Sequence, residues 1–284
     1  MKTYGSVIKL LRKNKSLSQQ DISTDILSRT TISKIENNSI IPTITTLEAI
    51  SIKLDVTLDE ITFIRNNFQL DKRNEIISDF LKLVSNTQTE LVTNIISRIN
   101  HYLKQYPDDS LLTDIKYILL ATLHLINDEI DKALKLVKPI WERLERIDQF
   151  SLIEIRLVSN ILFFFPTDII KKFIPRLLVM IDKYIAFDKT LAPLKVALLI
   201  NTASIFMEIY PDTTTKNLEI AINTAKEINR FDLLANAYYL QGVHTQKPEL
   251  VNKAKNIFYA IEQTEVLAQL ENNHLFQFKL DYKL

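Results

Sequence analysis

A chain of 284 residues exceeds one ordinary domain, so two are expected. Its 46% hydrophobic and 24% charged residues, with a net charge of +1, fit a soluble globular protein, and no apolar run reaches the roughly 18–20 residues of a membrane span. The absence of cysteine excludes disulfides, thiolate catalysis and cysteine-ligated zinc, while two glycines, Gly5 and Gly242, leave neither a dinucleotide fingerprint nor a Walker A loop.

So little glycine also predicts an all-α chain whose turns are built by Asn, Asp and Pro. The N-terminal MKTYGSVIKLLRKNKS carries no long apolar h-region, so no signal peptide is expected and the location is read as cytoplasmic. Residues 1–37 hold seven basic and three acidic side chains, a net of +4, leaving −3 for the rest of the chain. A basic head on a mildly acidic body suggests that the head is the part that meets nucleic acid.

Residues 6–68 read as five short helices. SVIKLLRKN places Val7, Ile8, Leu10 and Leu11 on one face; Ser18 opens SQQDISTDI, with Asp21 completing an approximate capping box; Ser28 caps RTTISKIEN, with Ile32 and Ile35 facing inward. TITTLEAISIKL follows Pro42 and TLDEITFIRNNF begins at Thr57. The second and third segments have the length and tight joint of a helix-turn-helix.

LSQQDIS, LSRTTISKIENN and LEAISIKLDVTLDEI resemble in register the lambda-repressor-like helix-turn-helix of the Xre/Cro group, over about residues 4–68. The resemblance implies that Arg12 and Glu36 tie the first helix to the third, and that Gln19, Arg29, Thr30, Thr31 and Lys34 lie on the DNA-facing side. Asn37-Asn38 departs from the Arg-Gly common in the family, but asparagine tolerates the left-handed turn needed there. The start of a recognition helix enters the major groove, so Ser28, Arg29, Thr30 and Thr31 are candidate base-side residues, Arg29 first among them for guanine. Lys15, Gln19 and Lys34 are expected on phosphates.

Beyond a linker helix in 69–82, amphipathic segments come in pairs with a period of about 35–41 residues, as in a TPR-like α-solenoid over 83–284. The clearest unit is AYYLQG…NKAKNIF. Pro139 falls inside a helix and is expected to kink it. Asn160, Asn201 and Asn236 each sit mid-helix among apolar residues, once per repeat, with Arg156 one turn before Asn160. Amides spaced in this way suit an extended peptide backbone and arginine suits a carboxylate, though amides that bond to a neighbouring helix would show the same spacing.

The whole chain, and in particular IEIRLVSNILFFFPTDII and KAKNIFYAIEQTEVLAQLENNHL, resembles the Rgg/GadR/MutR regulators, within the peptide-sensing group that includes PlcR and PrgX. That resemblance implies a homodimer bound to a double-stranded operator and controlled by a short signalling peptide in the concave groove (quorum sensing), with Arg156, Asn160, Asn201 and Asn236 as its contacts. Two other readings stay open: a DNA-anchored protein-interaction module, and a ligand-independent repressor whose repeats only dimerise. Dimer contacts are expected from a last helix after Gln263 that exposes Leu267, Leu270 and Phe276. His101, His124, His244 and His274 are scattered and no HExxH occurs, so neither metal, cofactor nor enzymatic activity is expected.

Overall fold

The computed structural model describes residues 1–83 and 89–271. Among these the fold is all-helical, with a single isolated β-bridge between Thr24 and Leu27. Two compact units divide the chain, Met1–Leu112 and Thr113–Leu284.

The first unit opens with α1 (Tyr4–Asn14), α2 (Arg29–Glu36), α3 (Ile44–Lys53) and α4 (Leu58–Arg65). Each begins at a threonine or serine whose hydroxyl accepts from a backbone N–H in the first turn: Thr3, Ser28, Thr43 and Thr57. Ile8, Ile22, Leu27, Ile32, Ile35, Ile50 and Leu54 form the core between them. Gly5 lies directly beneath the end of α2, where a Cβ would stand 1.9 Å from the Ile35 carbonyl oxygen, so only glycine permits this approach of α1 to α2.

One expected helix is absent. Ser18 and Asp21 do make the capping box, with the Ser18 N–H donating to Asp21 Oδ2 at 2.6 Å and the Asp21 N–H to Ser18 Oγ at 3.3 Å. The helix does not propagate from it. Ser23 turns both its N–H and its hydroxyl onto the Gln20 carbonyl, and Thr24 and Leu27 exchange backbone hydrogen bonds of 3.0 and 3.1 Å around Asp25-Ile26. Three consecutive residues that compete for backbone groups, Ser23-Thr24-Asp25, account for the loss.

The unit continues with α5 (Lys72–Lys82) and α6 (Thr89–Leu103), the latter not anticipated. Val92, Ile95, Ile96 and Ile99 form its buried face, and Arg98 on α6 reaches Asp79 and Glu75 on α5 at 2.6 and 3.2 Å.

In the second unit the helices follow in pairs: α7 (Ser110–Ile126, within the unit from Thr113) and α8 (Ile130–Leu144), α9 (Leu152–Ile161) and α10 (Thr167–Tyr184), α11 (Leu191–Phe206) and α12 (Pro211–Glu227), α13 (Phe231–His244) and α14 (Pro248–Ala260), then α15 (Thr264–Glu271). Pro139 lies inside α8, which continues past it to Leu144. Glycine plays no part in the turns. Asp128, Asn229, Gln246 and Glu262 take the left-handed conformation after α7, α12, α13 and α14, and the next residue's N–H closes back onto the helix at 2.9–3.0 Å. Gln246 and Glu262 fall outside the expected Asn, Asp and Pro. Gly242 serves close packing instead: a Cβ there would meet the Val251 backbone nitrogen at 2.8 Å, where α14 crosses α13.

The final helix corrects another expectation. Leu267 and Leu270 are 3% and 1% exposed, packed against Ala235 and Phe258, so they hold α15 onto α13 and α14 and offer nothing to a second chain. Phe276, like His274, lies outside the described residues.

Candidate nucleic-acid interface and candidate ligand groove

Ser28 fixes the start of α2 by accepting from the Thr31 N–H at 3.2 Å, and the Ser28 and Thr31 hydroxyls share a further hydrogen bond of 3.0 Å. Arg29 and Thr30 stand exposed on the first turn, Thr31 is half-buried, and Lys34 is exposed one turn after Thr30. Ile32 and Ile35 anchor the opposite face at 0% and 1% exposure. The helix stops at Asn38, whose φ of 59° supplies the left-handed residue, with Ser39 N–H donating to the Lys34 carbonyl at 2.8 Å.

Behind α2, Glu36 receives both ends of the Arg12 guanidinium, Nε at 2.6 Å and Nη2 at 2.7 Å, while Arg12 Nη1 donates to the Leu17 carbonyl at 2.6 Å. The Gln19 amide also donates to Glu36, at 2.9 Å. Burial pushes the Glu36 carboxyl up, but the hydrogen bonds from Arg12 and Gln19 outweigh it and hold the group below the usual range. Gln19 is thereby fixed to the helix pair, whereas Lys15, just past α1, stands free in solvent. Ile26, at the tip of the Thr24–Leu27 reversal and three residues before Arg29, is 78% exposed, and no periodicity marks it.

The second unit gathers its candidates on the first helix of each pair. Asn160 is the one exposed residue of α9 and Asn201 the one exposed residue of α11; both helices are otherwise buried or half-buried. Asn236 on α13 is half-buried, and its Oδ1 is buried without accepting any hydrogen bond among the described residues. Asn160 Nδ2 donates to the Arg156 carbonyl at 2.8 Å. Asparagine is a weak helix former at all three positions, and only the Asn236 oxygen carries the further cost of a buried acceptor without a donor.

Arg156 is not free. Its Nη2 donates to Asp188 Oδ2 at 3.2 Å and to the Thr190 hydroxyl, and Asp188 in turn accepts from the Thr190 N–H at 2.9 Å. Burial raises the Asp188 carboxyl, and the hydrogen bonds from Thr190 and Arg156 more than reverse this, so it titrates below its ordinary value. Asp188 was not foreseen: the signal available was the D-x-T turn before α11, which by itself says nothing of a partner 32 residues earlier. No group of three or more His, Asp or Glu among the described residues could hold a metal, and none of the described helices is long and apolar enough to cross a membrane.

Residues 8–61 match the helix-turn-helix family model. No curated protein matches the chain. Among solved structures, one from Listeria monocytogenes EGD-e, described as a candidate transcriptional regulator, shares the fold at a TM-score of 0.72 and 22% identity, over 96% of this chain and 95% of that one. The SHP pheromone receptor Rgg2 of Streptococcus dysgalactiae gives 0.68 and 17%, over 95% and 98%. PlcR of Bacillus thuringiensis, in complex with the peptide PapR7 and DNA, gives 0.61 and 16%, over 96% and 100%. The head is thus a helix-turn-helix DNA-binding domain. From head to repeats, the chain has the all-helical fold of these regulators.

Proposed function

We propose that the protein is a transcription regulator that binds a two-fold operator as a homodimer and responds to a short peptide held along the first helices of its repeats. Arg29, Thr30 and Thr31, presented by the Ser28 cap, read base edges; Lys15, Gln19 and Lys34 hold phosphates. One recognition helix reads only a few base pairs, which is why two copies are needed.

The observation that carries the peptide reading is the placement of the amides. Asn160 and Asn201 are the single exposed positions of otherwise covered helices, and the buried Asn236 Oδ1 lacks a donor that a ligand N–H would supply. An amide offers a donor and an acceptor together, matching the alternation of a peptide backbone. The likeness to PlcR, solved in complex with a peptide and DNA, supports this reading.

The test is a titration. An operator selected from random duplexes is bound by the purified protein, and short synthetic apolar peptides are added under calorimetry and gel shift. Saturable binding that changes operator affinity supports the proposal. If no peptide binds while an unfolded tail of another protein does, the interaction-module reading replaces it.

A further inference from the structure

Tyr238 lies two residues beyond Asn236 on α13, and two helical steps of about 100° carry it to the opposite side of the helix. It is 5% exposed, and its hydroxyl reaches the seam between α12 and α14. Lys253 of α14 donates to the Tyr238 oxygen at 3.0 Å, with its Nζ 4.3 Å from the ring centroid. Lys226, in the last turn of α12, brings a second ammonium to 5.7 Å from the same centroid. Both lysines are exposed, and their ammoniums flank one neutral phenol. Neither lysine has a carboxylate within ion-pair distance among the described residues, although other lysines of the second unit, Lys195 and Lys255, do.

Lys253 also borders an open groove between the start of α13 and α14. Phe231, Ile257, Ala260 and Ile261 give it an apolar floor, Asn252 and Asn256, one turn apart, line it with amides, and Glu249, one turn before Lys253, adds a carboxylate at its edge. Burial raises the Tyr238 phenol, yet the hydrogen bonds and charges of Lys253 and Lys226 more than offset this and draw it below its ordinary value.

The geometry points to an oxyanion-binding site, in which Lys226, Lys253 and the Tyr238 hydroxyl hold a phosphate or carboxylate group whose apolar remainder lies along the groove. Three donors then converge on one group, the two ammoniums gain the counter-charge they lack, and the phenol is free to donate once Lys253 turns to the anion. Because this face of α13 is opposite to the one carrying Asn236, the site is an input separate from the peptide groove and does not depend on it.

The experiment uses the full-length protein and two probes, inorganic phosphate and acetate, each against chloride at matched ionic strength. Thermal melting and phosphorus NMR line-broadening are read for the wild type, Lys226→Gln, Lys253→Gln and Tyr238→Phe. The wild type is expected to gain melting temperature with at least one probe, and each lysine variant to weaken that binding about tenfold. Tyr238→Phe keeps the packed ring, so its melting temperature without anion reports whether folding survives. Arg29→Ala, in the DNA-binding head, should retain the effect in full. Equal melting in both probes and chloride, or binding undiminished in both lysine variants, overturns the proposal; neither result bears on peptide binding. Binding of phosphate alone assigns a phosphorylated ligand, and binding of acetate a carboxylate.

Discussion

Glu36, 3% exposed at the end of α2, holds Arg12 of α1 by two hydrogen bonds of 2.6 and 2.7 Å. The two residues are 24 apart in sequence, and their pairing sets how α2 sits on α1. A buried pair of this kind adds little relative to an apolar pair of the same shape, but removing one partner strands the other.

Glu36→Gln should therefore cost about 3–5 kcal/mol, because it leaves the guanidinium buried without its counter-charge. The pH dependence has a definite sign. Since the carboxyl is held below its ordinary value, the pair contributes fully above the usual carboxylate range and loses that contribution as pH falls through the lowered value. Chemical denaturation of wild type and variant across the acid range checks this: the variant should show a flatter profile, and parallel profiles would refute the assignment.

Arg29→Ala should weaken operator binding by about 1–3 kcal/mol and relax preference at one base pair. Its circular dichroism should not change, since Arg29 is exposed and the Ser28 cap remains. Lys15→Ala should weaken all duplexes alike and flatten the salt dependence. Footprinting on specific and scrambled DNA separates the two behaviours, and equal losses on both for Arg29→Ala would move it to the backbone class.

Asn201→Ala should leave the melting temperature unchanged, because among the described residues none bonds to its exposed amide, and should reduce peptide affinity by about 1 kcal/mol. A melting temperature lowered by several degrees with unchanged affinity would show the amide to be structural. Asn236→Ala is the sharper companion. It removes a buried acceptor that lacks a donor, so the free protein should be no less stable while ligand binding suffers.

Gln246 follows α13 at φ 55° and packs no core, so Gln246→Gly should stabilise the second unit by up to about 1 kcal/mol. Gly242→Ala, four residues earlier, should do the opposite despite its better helix propensity, because its Cβ meets Val251 backbone at 2.8 Å. Equal melting temperatures for the two variants would contradict the close crossing of α13 and α14.

Much of this architecture can be read from local chemistry. Ser28, Thr43 and Thr57 announce helix starts because capping acts within three residues. The Arg12–Glu36 tie was legible through resemblance, since nothing local joins residues so far apart. The second head segment misled because its cap is real but Ser23-Thr24-Asp25 turns the backbone aside, a contest that spacing does not settle. The amides were visible as polar residues in apolar helices, yet Asp188, which neutralises Arg156, was not, because that contact is made by tertiary packing. Leu267 and Leu270 show the same limit: an apolar position demands cover without saying which neighbour supplies it.

If a peptide is held as proposed along the first helices of the repeats, the clasp between Arg156 and Asp188 bears on any carboxylate that it brings. Such a ligand does not meet a vacant cation. It competes with a tethered acid whose effective concentration is of the order of millimolar or more, so a single carboxylate at signalling concentrations loses the exchange unless other contacts support it. Under the proposed function, Arg156 would then act as a selectivity filter, rejecting free acids and small anionic metabolites while yielding to a ligand that also satisfies the amides. Asp188→Asn would lower that threshold, trading discrimination for sensitivity.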